Sequence, residues 1–128
     1  MKQKNRSGFT LIEVLTVIAI IAILAALILG MAGNAQKTAA RKKAEAEISQ
    51  LQSFVTDYQM KYGQVPLSTA ALTNALGQAN HPLATFQDPW GMPYKYTNSS
   101  LVTFYLWSWG GDLSTPPTER AMWIGAAP

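Results

Sequence analysis

Gly8-Phe9-Thr10-Leu11-Ile12-Glu13-Val14-Leu15, with the apolar run that continues from it to about Met31, decides how the rest of the chain is read. No basic residue lies between Arg6 and Lys37, and Glu13 is the only acid before Glu45. At a rise of about 1.5 Å per residue, the segment from Phe9 to Gly33 makes roughly 37 Å of helix, more than the roughly 30 Å hydrocarbon core of a bilayer. Val14, Leu15, Val17, Ile18, Ile20, Ile21, Ile23, Leu24, Leu27, Ile28 and Leu29, with alanines between them, leave no wet face. Such a helix belongs in lipid or inside a bundle. Lys2, Lys4 and Arg6 precede it, which places the N-terminus in the cytoplasm by the positive-inside rule, although Lys37, Arg41, Lys42 and Lys43 pull the other way.

Glu13 does not suit a simple anchor. A carboxylate within a membrane helix costs about 2.5 to 3.5 kcal/mol on insertion scales, so it calls for a partner or a route to the headgroups. An isolated helix would let Glu13 reach the surface. A cut after Gly8 would instead create an amine on Phe9, four residues upstream and at similar depth.

Lys2 to Gly8 followed by Phe9-Thr10-Leu11-Ile12-Glu13-Val14 resembles the class III signal of type IV pilins and type II secretion pseudopilins. The resemblance implies that a prepilin peptidase cleaves between Gly8 and Phe9 and methylates the new Phe9 amine. It also implies that Glu13 pairs with a neighbouring subunit's N-terminus during filament assembly. An ordinary secretory signal is cut beyond its apolar region, at small residues. Here the apolar region would be retained, giving a leader over 1–8, a transmembrane helix over 9–33 and a head over 34–128.

Composition fits that division. About 90 residues remain for the head, enough for one small core. Three of the ten basic residues are Lys2, Lys4 and Arg6, so from Phe9 onward seven basic side chains meet seven acidic ones. Only Lys37 to Lys43 is left as a basic patch, which argues against a nucleic-acid partner. With no cysteine, the head must fold without a disulfide.

Gly30 and Gly33 soften the helix, and the sequence predicts a bend there. Beyond Ala35, Ala44, Ile48, Leu51, Val55, Tyr58 and Tyr62 form one helical stripe that ends at Gly63 and Pro66. A stripe of this length suits packing on the head rather than a coiled coil. Ser68 to Gly77 predicts a short helix with a Ser or Thr cap and a terminal glycine. His81, the only histidine, reads as a loop residue and a poor zinc ligand. Tyr94–Thr97 and Leu101–Trp109 predict a hairpin turning at Asn98-Ser99-Ser100, with Val102, Phe104 and Leu106 facing the helix. Thr103, Tyr105, Trp107 and Trp109 form the opposite face, and Ala121–Ile124 supplies an edge strand.

Asp88-Pro89-Trp90-Gly91-Met92-Pro93-Tyr94 resembles a turn of the major pseudopilins of type II secretion systems. Ser108-Trp109-Gly110-Gly111-Asp112 is similar to their Ser-x-Gly-x-Asp-Gly segment, where the loop and later acids bind calcium. That resemblance implies calcium at Asp112, whereas the residues themselves read Asp112 first as a loop residue. Leu113, however, stands in place of the family's Gly, and Glu119 is the only acid after Asp112.

No nucleophile motif, phosphate loop or acid pair suggests an enzyme. The expectation is an α+β pilin-like fold: a helix of about fifty residues, half of it in the membrane, packed on a small antiparallel β-sheet. The resemblance implies a subunit of a pseudopilus or type IV pilus-like filament that drives protein secretion through the type II system. Its partners would be copies of itself and other pseudopilins, the prepilin peptidase, the inner-membrane assembly platform and membrane lipid. It would cross the inner membrane once, with a periplasmic head, and pass into a periplasmic filament. A minor pilin or membrane-tethered head for DNA uptake or surface adhesion, working through Trp107, Trp109 and Lys37 to Lys43, is the alternative.

Overall fold

The computed structural model describes residues 7–114 and 116–128; Lys2, Lys4 and Arg6 of the expected leader lie outside them. The order of elements is α1 (Leu11–Tyr62), α2 (Thr69–Gln78), β1 (Lys95–Asn98), β2 (Phe104–Ser108), a single 3-10 turn (Arg120–Met122) and β3 (Ile124–Ala126). The fold is α+β and pilin-like, with a 52-residue N-terminal helix and a three-stranded antiparallel sheet. The chain divides into two compact units, with the boundary in sequence between Lys37 and Thr38.

The first unit is the apolar half of α1. No described residue in it is buried. Each Leu or Ile removed from water contributes about 1.5 to 3 kcal/mol, so a surface bearing Leu15, Ile18, Ile21, Leu24 and Ile28 needs lipid or other helices around it. Among the described residues α1 is the one helix long and apolar enough to cross a membrane. Gly30 and Gly33 are both helical, and the helix is uninterrupted where the sequence predicts a bend.

In the second unit Ala44, Ile48, Leu51 and Val55 are the buried residues of α1. They join Val65, Leu72, Leu76, Phe86, Tyr94, Tyr96, Leu106 and Ile124 in one core. The predicted stripe therefore holds, except at its end. Tyr58 is half-buried and Tyr62 exposed, their rings 4.4 Å apart. The Gly63 amide closes the helix by donating to the Gln59 carbonyl at 2.7 Å.

Ser68 caps α2 by accepting the Ala71 amide at 3.1 Å. The other end differs from expectation, because Gly77 is inside the helix and Asn80 takes the left-handed conformation, φ 50°. The Asn80 amide donates to Gly77 O and the His81 amide to Leu76 O, which is the Schellman arrangement with asparagine at its left-handed position.

The hairpin is also tighter in strand and longer in turn than predicted. Lys95 pairs with Trp107, Tyr96 with Leu106, Thr97 with Tyr105 and Asn98 with Phe104. Leu101 and Val102 are excluded from β2, each 58% exposed. The Leu101 carbonyl accepts the Val65 amide at 2.8 Å, and the Ser99 amide closes the turn on Thr103 O at 3.0 Å. The Val65 amide thus competes with the ladder for that part of the chain. Leu106 and Ser108 point into the head, while Phe104 is only half-buried.

β3 lies later than the predicted Ala121–Ile124. Residues Arg120–Met122 form the 3-10 turn, and Ile124–Ala126 pairs with β2 through Ser108 to Ile124, Trp107 to Gly125 and Leu106 to Ala126. Gly125, at φ 98°, lies with its Cα against the Leu106 carbonyl, where a Cβ would come within 2.5 Å.

Candidate functional site

Two groups of residues stand out, one in each unit. At the N-terminus, Ser7 to Thr10 precede the helix and Phe9 is 88% exposed. Among the described residues, nothing lies within 4 Å of where a Cβ on Gly8 would sit. The helix begins with a reciprocal capping box. The Thr10 amide donates to Glu13 Oε2 at 2.8 Å, and the Glu13 amide donates back to Thr10 Oγ1 at 3.3 Å. The Thr10 hydroxyl adds a bond to the same carboxylate oxygen at 3.0 Å. Glu13 is therefore drawn back to the amide that follows Phe9. Sequence reasoning assigns Thr10 no role, although Thr-x-x-Glu ahead of an apolar run is the signal of such a box.

In the head, the two turn motifs converge. Asp88, 6% exposed, accepts the Trp90 and Met92 amides on Oδ1, at 3.1 and 2.9 Å. Its Oδ2 accepts the Ser108 hydroxyl at 2.6 Å, and Ser108 Oγ in turn accepts the Gly110 amide at 3.0 Å. Tyr94 follows the turn into the core and donates its hydroxyl to Glu47 of α1 at 2.5 Å. Burial, then the Glu47 hydrogen bond, raises that hydroxyl far above the ordinary phenol value. Burial likewise pushes Tyr96 up to about 12, while its hydroxyl donates to the Pro66 carbonyl at 2.6 Å.

Asp112 closes the second loop and is 3% exposed. Oδ1 accepts the Ser114 amide at 2.9 Å and the Ser114 hydroxyl at 2.5 Å. Oδ2 accepts the Glu119 amide at 2.8 Å and Trp123 Nε1 at 3.3 Å. These bonds, that of the Ser114 hydroxyl foremost, hold the carboxyl down to about 2. The donors point at the oxygens that a calcium ion would need, and calcium wants six to eight oxygen ligands. The residues present do not fit that ion. Among the described residues, no group of three or more His, Cys, Asp or Glu side chains gathers in any one place.

Several residues proposed for a binding head make contacts within the chain. Lys42 donates to Glu45 at 2.9 Å, and Arg41 and Lys43 lie 3.7 and 3.8 Å from Glu45 and Glu47. Lys95 covers the Trp109 ring at 4.0 Å, and Trp107 Nε1 is enclosed without a partner among the described residues. His81 Nδ1 accepts the Leu83 amide at 3.1 Å, which makes it a loop-shaping residue. A groove of about 560 Å³ between α1 and α2 holds one carboxylate, Asp57, and one amine, Lys61, with no second acid beside them.

Comparison with known proteins covers the stretches that hold both groups. Residues 3–29 match the prokaryotic N-terminal methylation motif, and residues 31–126 match the family of type II secretion system (T2SS) protein G. The type II secretion system core protein G of Aeromonas hydrophila is 34% identical over 108 residues, covering 74% of this chain and 75% of the relative. No solved structure matches. An exposed methylation-type N-terminus, an apolar first helix and a head with both turn motifs are what this family match spans, and the chain belongs to the type II secretion system protein G family.

Proposed function

We propose that the chain is a structural subunit of the pseudopilus of a type II secretion system, a non-catalytic protein whose work is assembly. The observation that carries this reading is the wholly exposed apolar half of α1 with Glu13 folded back onto its first turn. In lipid the helix is solvated by acyl chains. In a filament the same surface packs against other copies and other pseudopilins, and no soluble state satisfies it.

The same geometry supports a reading of the N-terminal events. The prepilin peptidase cuts between Gly8 and Phe9, where the chain is exposed and not yet helical, and methylates Phe9. The incoming subunit's Glu13 then exchanges its Thr10 bonds for the amine of a neighbour, which compensates the carboxylate in an apolar filament core. Before this step the subunit waits in the inner membrane with its N-terminus cytoplasmic and its head periplasmic, docked to the assembly platform.

Intact mass of membrane-extracted protein, from cells with and without the peptidase, tests the reading. Loss of Met1 to Gly8 with one added methyl is expected only when the peptidase is present. Glu13→Ala is expected to be inserted and cleaved but to yield few filaments. An uncut chain, or normal filament yield from the variant, would overturn the proposal.

A further inference from the structure

We infer that Asp112, Ser114, Glu119 and Trp123 are tied together by the chain's own hydrogen-bond donors in place of a divalent cation, with the Asp112 carboxylate as the anion at their centre. A carboxylate offers about four lone-pair sites. Ser114 and its hydroxyl take both on Oδ1, and the Glu119 amide and Trp123 indole take both on Oδ2. Each of these is an N–H or O–H, and a cation at either oxygen would have to displace its donors and meet their positive ends.

The surroundings are arranged for the donors. The Thr118 amide donates to Ser114 Oγ at 3.0 Å, leaving that hydroxyl's proton for Asp112. Pro116 and Pro117 have no amide to offer, and their fixed φ stiffens the stretch that returns Glu119 to the carboxylate. Past Glu119, Arg120 lies 5.1 Å over the Trp123 ring and Arg41 of α1 donates to the Met122 carbonyl at 3.1 Å. Gly110, at φ 65°, lets that carbonyl sit against its Cα. Glu119, the second acid a cation would need, contributes its backbone amide to the cage and is itself exposed. Asp112 thereby sets where β3 begins.

The test uses full-length protein in detergent micelles and reads thermal unfolding, together with proteolysis across the loop, in chelator and in millimolar calcium. Equal midpoints and equal cleavage rates in the two conditions are expected. Asp112→Asn, which keeps the shape but loses the charge and one acceptor oxygen, should speed loop cleavage by about tenfold in both. Ser114→Ala, which removes one donor and leaves the carboxylate, should do so by a few-fold and serves if the first variant does not fold. A saturable rise in midpoint with calcium, or cleavage slowed by calcium, would overturn the inference. So would cleavage left unchanged by both variants. The readout concerns the loop alone and is independent of filament formation.

Discussion

Ser108 and Asp88, twenty positions apart in the chain, are joined by a 2.6 Å hydrogen bond from the serine hydroxyl to a buried carboxylate oxygen. Through it the Asp-Pro-Trp-Gly turn and the Ser-Trp-Gly-Gly-Asp loop, which the sequence presents as separate motifs, become one structure. Ser108 occupies the last position of β2, so the strand register carries its hydroxyl to Asp88. Replacing Ser108 by Ala leaves Asp88 Oδ2 without its donor. A hydrogen bond to a charged group is worth about 1.5 to 3 kcal/mol. Ser108→Ala should lower head stability by that amount in denaturant unfolding, whereas Ser53→Ala, at an exposed site on α1, should have little effect.

Thr10 is predicted to matter for the first turn of α1 and not for its lipid affinity. Thr10→Val keeps the β-branched shape but removes the hydroxyl that accepts the Glu13 amide and donates to the Glu13 carboxylate. Loss of such a cap costs about 0.5 to 2 kcal/mol. In micelles, amide exchange at Glu13 and Val14, whose amides donate to Thr10, should rise by about tenfold while the apolar turns beyond them stay protected.

Acid should act on the Asp112 loop late. The carboxyl is held down to about 2 against an ordinary 3.8, so the folded state favours its charged form. For a depressed pKa the stabilisation is complete above the unfolded value and is lost as pH falls through the folded one. Trp123 fluorescence and loop proteolysis should therefore be constant down to about pH 3.8 and change as the pH drops toward about 2. Asp112→Asn should remove this transition.

Much of the architecture is legible in the sequence because it rests on local pattern. Ala44, Ile48, Leu51 and Val55 recur at alternating spacings of four and three, and they are the buried residues of α1. Ser68 announces the start of α2, since a cap acts within one turn of chain. What escapes is set by partners distant in sequence. Leu101 looks like strand, but its carbonyl is taken by Val65. Ala121 to Trp123 look like strand as well, but Asp112 holds Glu119 and Arg41 holds Met122, which curls the segment into a turn. The Thr10 cap is the opposite case, a local signal in the chain whose meaning is obscured by the apolar run it introduces.

Two glycines should respond to alanine in opposite directions. Gly77 lies inside α2 with open space where a Cβ would project, and a helix-interior glycine is less favourable than alanine by roughly 0.5 to 1 kcal/mol. Gly77→Ala should stabilise the head by about that much. At Gly110, φ is 65° and a Cβ would collide with the Met122 carbonyl. That carbonyl cannot yield easily, because it accepts from Arg41 and belongs to the turn that presents Trp123 to Asp112. Gly110→Ala should thus destabilise by more than about 1 kcal/mol through strain alone. Its effect should appear first as protease sensitivity of the loop and exchange of the β3 amides, with α2 still protected. If Gly110→Ala left both the unfolding midpoint and the protease sensitivity unchanged, the close approach of Met122 to Gly110 would not constrain the loop.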